Sequence, residues 1–90
     1  MLNSADPAII FSNLTQDVVI DGHRFFVEIY RASDNPAWVL SVMNVFGTLT
    51  VLGDPQHFED DLAWRTFERI MNGEGVRAFY TEEECRKLEY

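Results

Sequence analysis

The sequence predicts an α+β fold: an antiparallel four-stranded meander packed by one amphipathic helix, with a short C-terminal helix. Three features support this prediction: an Asp-Gly turn between two β-prone runs, two more runs of alternating side chains, and an apolar stripe at helical spacing. The chain has 90 residues, of which 47% are hydrophobic, and this is enough for one packed core. Because chains of this size seldom divide into two cores, we expect a single domain over residues 1–90.

The first hairpin is predicted in "VVIDGHRFFVEIYRA", where Asp21-Gly22 separates two β-prone runs. A two-residue Asp-Gly loop suits the positive φ angles of a type I′ turn. Side chains alternate between the two faces of a strand. The outgoing strand therefore divides into a first set, Phe25, Val27 and Ile29, and a second set, Phe26, Glu28 and Tyr30.

Two further strands follow the polar loop "SDNPA". The run "WVLSVMN" places Trp38, Leu40 and Val42 on one face and Val39, Ser41 and Met43 on the other. The turn "NVFG" ends in Gly47, which supplies a left-handed position. The last run, "TLTVL", alternates Leu49 and Val51 against Thr48, Thr50 and Leu52, and we assign Leu49 and Val51 to the core.

A helix is predicted within "GDPQHFEDDLAWRTFERIM", residues 53–71. Its apolar stripe consists of Ala63, Phe67, Ile70 and Met71, at the spacing of one helical face. Acidic side chains are stabilised at the positively polarised N-terminus of a helix, so the acidic residues ahead of the stripe indicate where the helix begins. Asp54-Pro55 form one candidate pair for the N-cap and the first helical position, and Asp60 is a second candidate cap. In "MNGEG", Asn72 or Gly73 is expected to provide the left-handed C-cap.

The C-terminal segment carries clearer signals of secondary structure than the N-terminal segment. Residues 76–80 are expected to add a short strand. Thr81 and Glu84 match a capping box and predict a charged helix over residues 82–89. Near the N-terminus, "DPAIIFSNL" suits a helix or a strand equally well, so the conformation of residues 1–17 stays open.

Charge and cysteine content exclude several classes of protein. Fifteen acidic and seven basic residues give a net charge of −8, which opposes direct binding to nucleic acid because that binding needs a cationic surface. A single cysteine, Cys85, excludes an intrachain disulfide and a cysteine-based zinc site, and is typical of a reducing compartment. No run resembles a signal peptide or a membrane span. We therefore expect a soluble cytoplasmic protein that does not bind membranes.

Candidate catalytic and metal sites are poorly supported by the sequence. His57 and Asp61 stand at i and i+4 and supply two metal ligands, but a third is available only if His23 or Glu28 comes close in the fold. Cys85 lies in a charged tail, without a local His or Asp partner. We therefore predict no catalytic residue, no metal ligand and no cofactor. A non-enzymatic protein is favoured, and an enzyme is not excluded.

The apolar residues exceed what a single helix can cover. We predict a core formed by Phe25, Val27, Ile29, Trp38, Leu40, Leu49, Val51, Phe67 and Ile70. The opposite face of the sheet would carry Phe26, Tyr30, Val39, Met43 and Leu52. Monomers seldom expose so large an apolar patch. Either the N-terminal segment or the tail covers this face, or it is an interface lined by Phe26, Tyr30, Val39 and Met43, most simply in a two-fold homodimer.

Three stretches carry a resemblance to known proteins: "HRFFVEIYR", "WVLSVMNVFG" and "AWRTFERIMNGEGV". Over roughly residues 18–80 their order resembles small uncharacterised bacterial proteins with an "IYR" strand, a Trp-led strand ending in Asn-x-x-Gly, and a helix closing in Glu-Gly. The layout is also similar to YegP-like domains. The resemblance implies a strand–strand–strand–helix unit and carries no catalytic residue.

The leading functional hypothesis is a small, acidic, non-enzymatic interaction protein of bacterial or phage origin, present as a homodimer. The first alternative is an acidic inhibitor that imitates nucleic acid and binds a basic protein. It requires seven acidic residues to gather on one side: Asp54, Glu59, Asp60, Asp61, Glu82, Glu83 and Glu84. The second alternative is a small metal-dependent hydrolase, which requires His57 and Asp61 to meet His23 or another acid.

Overall fold

The computed structural model describes residues 7–88, with all side chains in that range except those of Asp54 and Pro55. The α+β class is confirmed: antiparallel strands form one sheet, and the helices pack against it. The elements in chain order are β1 (Ile9–Phe11), β2 (Gln16–Ile20), β3 (His23–Ala32), β4 (Trp38–Met43), β5 (Leu49–His57), α1 (Asp60–Glu74), a 3₁₀ helix (Val76–Phe79) and α2 (Glu82–Leu88).

Strands β1 and β2 both pair with β3, so they form one interrupted edge of the sheet. The remaining order is β3, β4, β5, with β5 at the opposite edge. The interruption falls at residues 12–15. There the Thr15 hydroxyl accepts from Ile29 N–H at 3.1 Å and donates to Ile29 C=O at 3.3 Å. Ser12 N–H adds a 2.8 Å bond to the same carbonyl, so the side chain of Thr15 maintains the ladder where the strand is broken.

Both predicted turns are confirmed by their backbone angles. Asp21 and Gly22 have φ of 52° and 82°, as a type I′ hairpin loop requires. Gly47 has φ of 87°, and its N–H donates to Asn44 C=O at 3.0 Å. The N–H of Asn44 in turn donates to Thr48 C=O at 3.0 Å, so Asn44 and Thr48 are the first pair of the β4–β5 ladder.

The core lies between one face of the sheet and a layer made of α1, the 3₁₀ helix and α2. Phe25, Val27 and Ile29 are fully buried in β3, as predicted, and so are Leu40 and Val42 in β4. The helical layer contributes Ala63, Phe67, Phe79 and Cys85 to the same cluster. The predicted core residues Trp38 and Ile70 are half-buried and pack against its margin.

The assignment of Leu49 and Val51 to the core is wrong. They are 52% and 53% exposed, whereas Leu52 packs against the core. The β4–β5 register explains this result, because Leu52 lies opposite the buried Leu40 and Leu49 lies opposite the exposed Met43. Directly paired residues share a face, so the turn sets which alternate set of β5 points inward.

The start of the helix also differs from the prediction based on Asp54-Pro55. Residues 54 and 55 belong to β5, which continues to His57. Helix α1 begins at Asp60, and Glu59 occupies the N-cap position without a side-chain capping bond. Asp60 is therefore the first helical residue and not the cap. Its carboxylate accepts a 2.6 Å hydrogen bond from the Ser12 hydroxyl and so ties the helix to the edge of the sheet.

The end of α1 lies beyond the predicted Asn72 or Gly73. The helix continues to Glu74, and Gly75 takes the positive φ of 78° while its N–H donates to Met71 C=O at 2.9 Å. A 3₁₀ helix, not a strand, occupies Val76–Phe79.

The capping box at the start of α2 is confirmed. Thr81 N–H donates to Glu84 Oε1 at 2.9 Å, and Glu84 N–H donates to Thr81 Oγ1 at 3.1 Å. The C-terminal helix follows at Glu82–Leu88, close to the predicted range.

The corrected orientation of β5 can be tested by matched truncations. Leu40→Ala should lower the free energy of unfolding by about 2–5 kcal/mol, because it leaves a cavity in the core. Leu49→Ala removes the same atoms from an exposed site, and we expect a loss below about 1 kcal/mol. Urea titration at dilute concentration measures both values. Equal losses would contradict the orientation of β5.

Candidate interaction surface

The second face of the sheet, which we call the outer face, is defined by the strand registers. Tyr30 lies opposite Phe11 in β1 and opposite Val39 in β4, so these three side chains share a face. The outer face comprises Ile9, Phe11, Asp17, Val19, Arg24, Phe26, Glu28, Tyr30, Val39, Ser41, Met43, Leu49 and Val51.

No helix among residues 7–88 covers the outer face. The helices, including the C-terminal α2, contribute to the core cluster on the other side, and the N-terminal segment enters the sheet as β1. The exposed fractions are high, at 54% for Ile9 and Phe11 and 64% for Val19. Leu49 and Val51 are also more than half exposed, and monomers seldom expose a large contiguous apolar patch.

The four residues proposed as an interface from the sequence all lie on this face. Met43 is 38% exposed, whereas Phe26, Tyr30 and Val39 are half-buried among their neighbours. The Tyr30 ring packs against Phe11, with ring centroids 6.0 Å apart. These four residues form the middle of a broader apolar surface.

Five apolar residues of the outer face were missed by the sequence analysis: Ile9, Phe11, Val19, Leu49 and Val51. Leu49 and Val51 had been assigned to the core. Ile9 and Phe11 were not placed because the N-terminal run suited either a helix or a strand. The alternation of Ile9 and Phe11 about Ile10 was the available signal, since it fits a strand with one exposed face.

The outer face carries little charge. Residues 35–53, which include all of β4 and the first half of β5, contain no charged side chain. The charged residues of the face are Asp17, Arg24 and Glu28. A hollow of about 320 Å³ lies beside two of them, lined by Asp17, Arg24, Phe26, Met43, Asn44 and Val45.

The acidic residues named for the inhibitor hypothesis divide between the two ends of the helical layer. Asp60 is bound to Ser12, close to the start of β4, and Asp61 pairs with Arg65 at 3.6 Å in an exposed i,i+4 contact. Glu84, in contrast, lies at the β4–β5 turn, where its carboxylate contacts Asn44. The contacts of Asp60 and Glu84 thus lie in different parts of the fold, and the side chain of Asp54 lies outside the described part of the chain.

His57 is a buried structural side chain, with 4% exposure. Its Nε2 lies 2.9 Å from Thr66 Oγ1, and its Nδ1 lies 3.4 Å from Trp38 C=O. The Thr66 hydroxyl also donates to Leu62 C=O at 3.1 Å, so both ring nitrogens of His57 lie against groups of the fold itself.

The predicted metal partners also fail to meet. His23 lies beside the Asp21-Gly22 turn, at the opposite end of the sheet from His57. Among the side chains that the structure describes, no three His, Cys, Asp or Glu groups converge as a metal site would require. The geometry gives the hydrolase hypothesis no support.

A second histidine contact joins His23 to Tyr80, with 3.1 Å between Nδ1 and Oη. Burial raises the pKa of Tyr80, and the charge of Glu84 and then Cys85 raise it further. A phenol with a raised pKa stays protonated at neutral pH and is a weak acid. The contact joins Tyr80, the residue that follows the 3₁₀ helix, to the first hairpin.

A polar clamp formed by Asn44, Thr48, Thr81 and Glu84 joins the β4–β5 turn to α2. Asn44 is 4% exposed, and its Nδ2 donates to Phe79 C=O at 2.8 Å and to Glu84 Oε1 at 3.0 Å. Its Oδ1 accepts the N–H groups of Phe46 and Thr48. Hydrogen bonds from the Thr48 hydroxyl, then from Thr81 N–H and Asn44, lower the pKa of Glu84.

Comparison with protein-family models, with curated proteins and with solved structures finds no match to this chain. The resemblance to YegP-like domains is therefore neither supported nor contradicted. No helix in the described range is long and apolar enough to cross a bilayer.

The clamp predicts a specific acid sensitivity. Because folding lowers the pKa of Glu84, its stabilising effect is present above the ordinary value of 4.5 and is lost as pH falls through the folded value. Glu84→Gln should therefore reduce the loss of stability between neutral pH and pH values below 4.5. Denaturant titrations at both pH values measure this difference. Glu83→Gln, which changes a neighbouring exposed carboxylate, is the control, and an equal effect of both substitutions would contradict the role of the clamp.

Proposed function

We propose that this protein is a small, acidic, non-enzymatic interaction module that self-associates as a homodimer through its outer face. The observation that carries the proposal is an apolar sheet face that no described helix covers. Protein interfaces of standard size bury about 800 Å² on each partner. The outer face offers thirteen residues on five strands for such a contact.

The distribution of charge favours a second copy as the occupant. Two molecules with a net charge of −8 repel one another, and this repulsion is weakest where the contact surface is nearly neutral. The outer face has one basic and two acidic side chains, while most of the acids lie elsewhere. A self-complementary face is also what closed two-fold symmetry requires.

Strand β3 supplies a charge pattern that suits a two-fold axis. Arg24 and Glu28 stand two residues before and two residues after Phe26, on the same face. An axis that passes near Phe26 and reverses the strand direction brings Arg24 of one copy to Glu28 of the other. The two pairs formed in this way would neutralise charges that are otherwise costly to bury.

The nucleic-acid-mimicking inhibitor receives no comparable support. That function needs one acidic surface shaped like a phosphate backbone, whereas Asp60 of α1 contacts Ser12 at the sheet edge and Glu84 of α2 contacts Asn44 at the β4–β5 turn. We therefore propose only the self-associating module.

Light scattering with size-exclusion chromatography tests the proposal. The wild-type protein should have at least twice the chain mass of 10.4 kDa. Tyr30→Asp places a carboxylate in the middle of the outer face of both copies, and a penalty of about 3 kcal/mol would weaken association at least a hundredfold. We expect the measured mass to halve.

Leu62→Asp is the matched control, since it adds the same charge to an exposed apolar site on α1. It should leave the mass unchanged, and circular dichroism should show that both variants are folded. A wild-type protein that stays monomeric at high concentration, or a Tyr30→Asp variant of unchanged mass, would contradict association through the outer face.

A charge exchange tests the position of the axis. Arg24→Glu should weaken the dimer, because it places two carboxylates together at each end of the axis. Adding Glu28→Arg restores opposite charges and should recover most of the lost affinity. Sedimentation measures the dissociation constants of the single and double variants. A double variant that associates more tightly than Arg24→Glu alone shows that positions 24 and 28 interact across the axis. Additive losses would place the axis elsewhere.

A further inference from the structure

The two edges of the sheet are protected to different degrees. The edge formed by β1 and β2 is short and interrupted at residues 12–15, and it carries Asp17. Strand β5 is nine residues long, but it pairs with β4 in regular register only over Leu49–Leu52, and the register shifts before His57 pairs with Trp38. Natural proteins usually protect an edge with charged side chains, proline, a β-bulge or a covering element, and here the register shift follows the regular part of the strand. Residues 49–53 contain neither charge nor proline, although Asp54 and Pro55 follow them.

The backbone groups exposed along β5 can be identified from the register. The hydrogen-bonded pair Asn44–Thr48 begins the ladder, and bonded and non-bonded pairs then alternate. Thr50 therefore directs its N–H and C=O toward β4. Leu49 and Val51 direct theirs away from it, and within residues 7–88 no strand pairs with this side of β5.

The side chains of the same residues are also accessible. Leu49 and Val51 are more than half exposed and point to the outer face, and Gly53 is exposed. The free edge therefore combines unpaired backbone groups with apolar side chains. This combination is recognised by another extended strand, through main-chain hydrogen bonds and side-chain contact.

We propose that β5 pairs antiparallel with β5 of a second copy, so that the two sheets become continuous. Centring the pair on Val51 places Leu49 of one copy opposite Gly53 of the other. The two Val51 residues then exchange two backbone hydrogen bonds, and the outward N–H and C=O groups of Leu49 face Gly53 of the other copy. The Val51 side chains of the two copies meet on the outer face.

The neutral sequence favours a second copy over a foreign strand. An identical strand meets itself without repulsion only where it is uncharged, and residues 35–53 are the longest uncharged stretch of this acidic chain. The pairing is also self-complementary: with the two-fold axis at Val51, Leu49 of each copy lies opposite Gly53 of the other. Asp54 and Pro55 bound the contact at one end, since a proline cannot donate to a ladder.

This edge contact is distinct from the face contact of the proposed function and does not rest on it. The two contacts use different two-fold axes, one perpendicular to the sheet and the other between two stacked sheets.

A proline substitution isolates the edge contact. Val51→Pro removes an outward N–H while keeping an apolar side chain, and its control Val51→Ala shortens the side chain and keeps the N–H. We expect Val51→Pro to halve the mass measured by light scattering and Val51→Ala, which keeps the backbone hydrogen bonds, to lower the mass less. A folded Val51→Pro variant with the wild-type mass would overturn the edge contact.

Crosslinking provides a second test that does not depend on how well β5 tolerates proline. In a Cys85→Ala background, Val51→Cys places two thiols across the proposed axis, within reach of a short bismaleimide. Val19→Cys, on the opposite edge strand, is the exposed control. Rapid dimeric crosslinking of Val51→Cys alone supports the contact, whereas equal or absent crosslinking in both variants overturns it.

The two proposals fail separately. If Tyr30→Asp leaves the mass unchanged while Val51→Pro lowers it, the face contact is wrong and the edge contact stands. If only Tyr30→Asp lowers the mass, the edge contact is wrong. A wild-type monomer whose Val51→Cys variant does not crosslink would overturn the edge contact together with the face contact.

Discussion

The alternation of side chains along β3 is the constraint on which the rest of this structure depends. Phe25, Val27 and Ile29 are fully buried beneath the helical layer. Their neighbours Phe26 and Tyr30 must then point the other way, because successive side chains leave a strand on opposite faces. With the described helices all on one side, the second face keeps large apolar side chains in contact with solvent. The sheet therefore has two apolar faces, and the described helices cover one of them.

The polar clamp determines how the helical layer closes over the core. Asn44 uses its two amide donors and its carbonyl oxygen to join the β4–β5 turn, the 3₁₀ helix and α2. Glu84 serves both as the capping residue of α2 and as an acceptor for the turn. A short helix of this kind has little intrinsic stability. Its position therefore depends on these bonds and on the buried Cys85.

Much of the fold was predictable where local signals agree. Asp21-Gly22 and Gly47 each demand positive φ angles, and the Thr81–Glu84 spacing specifies a helix start, so these features were predicted correctly. In β5 the two alternate sets of "TLTVL" both contain leucine, so composition does not select the buried set. The turn before the strand selects it, by pairing Asn44 with Thr48.

The remaining differences arise from tertiary packing. Asp54-Pro55 have the local character of a helix start, yet they lie in an edge strand, where a missing N–H does no harm. "NGEG" offers two glycines for ending α1, and the choice of Gly75 places Val76–Phe79 so that Phe79 reaches the core. The outer face was predicted from β3 and β4, but its extension onto β1 and β5 required the strand registers.

The hydrogen bond between Ser12 and Asp60 has a consequence for the order of folding. The β2–β3, β3–β4 and β4–β5 hairpins join chain neighbours, and such contacts close small loops at low entropic cost. Ser12 and Asp60 are separated by 48 positions and bring the first strand to the beginning of α1. We therefore expect the meander to assemble early and the edge of the sheet to become locked late, when the helix docks.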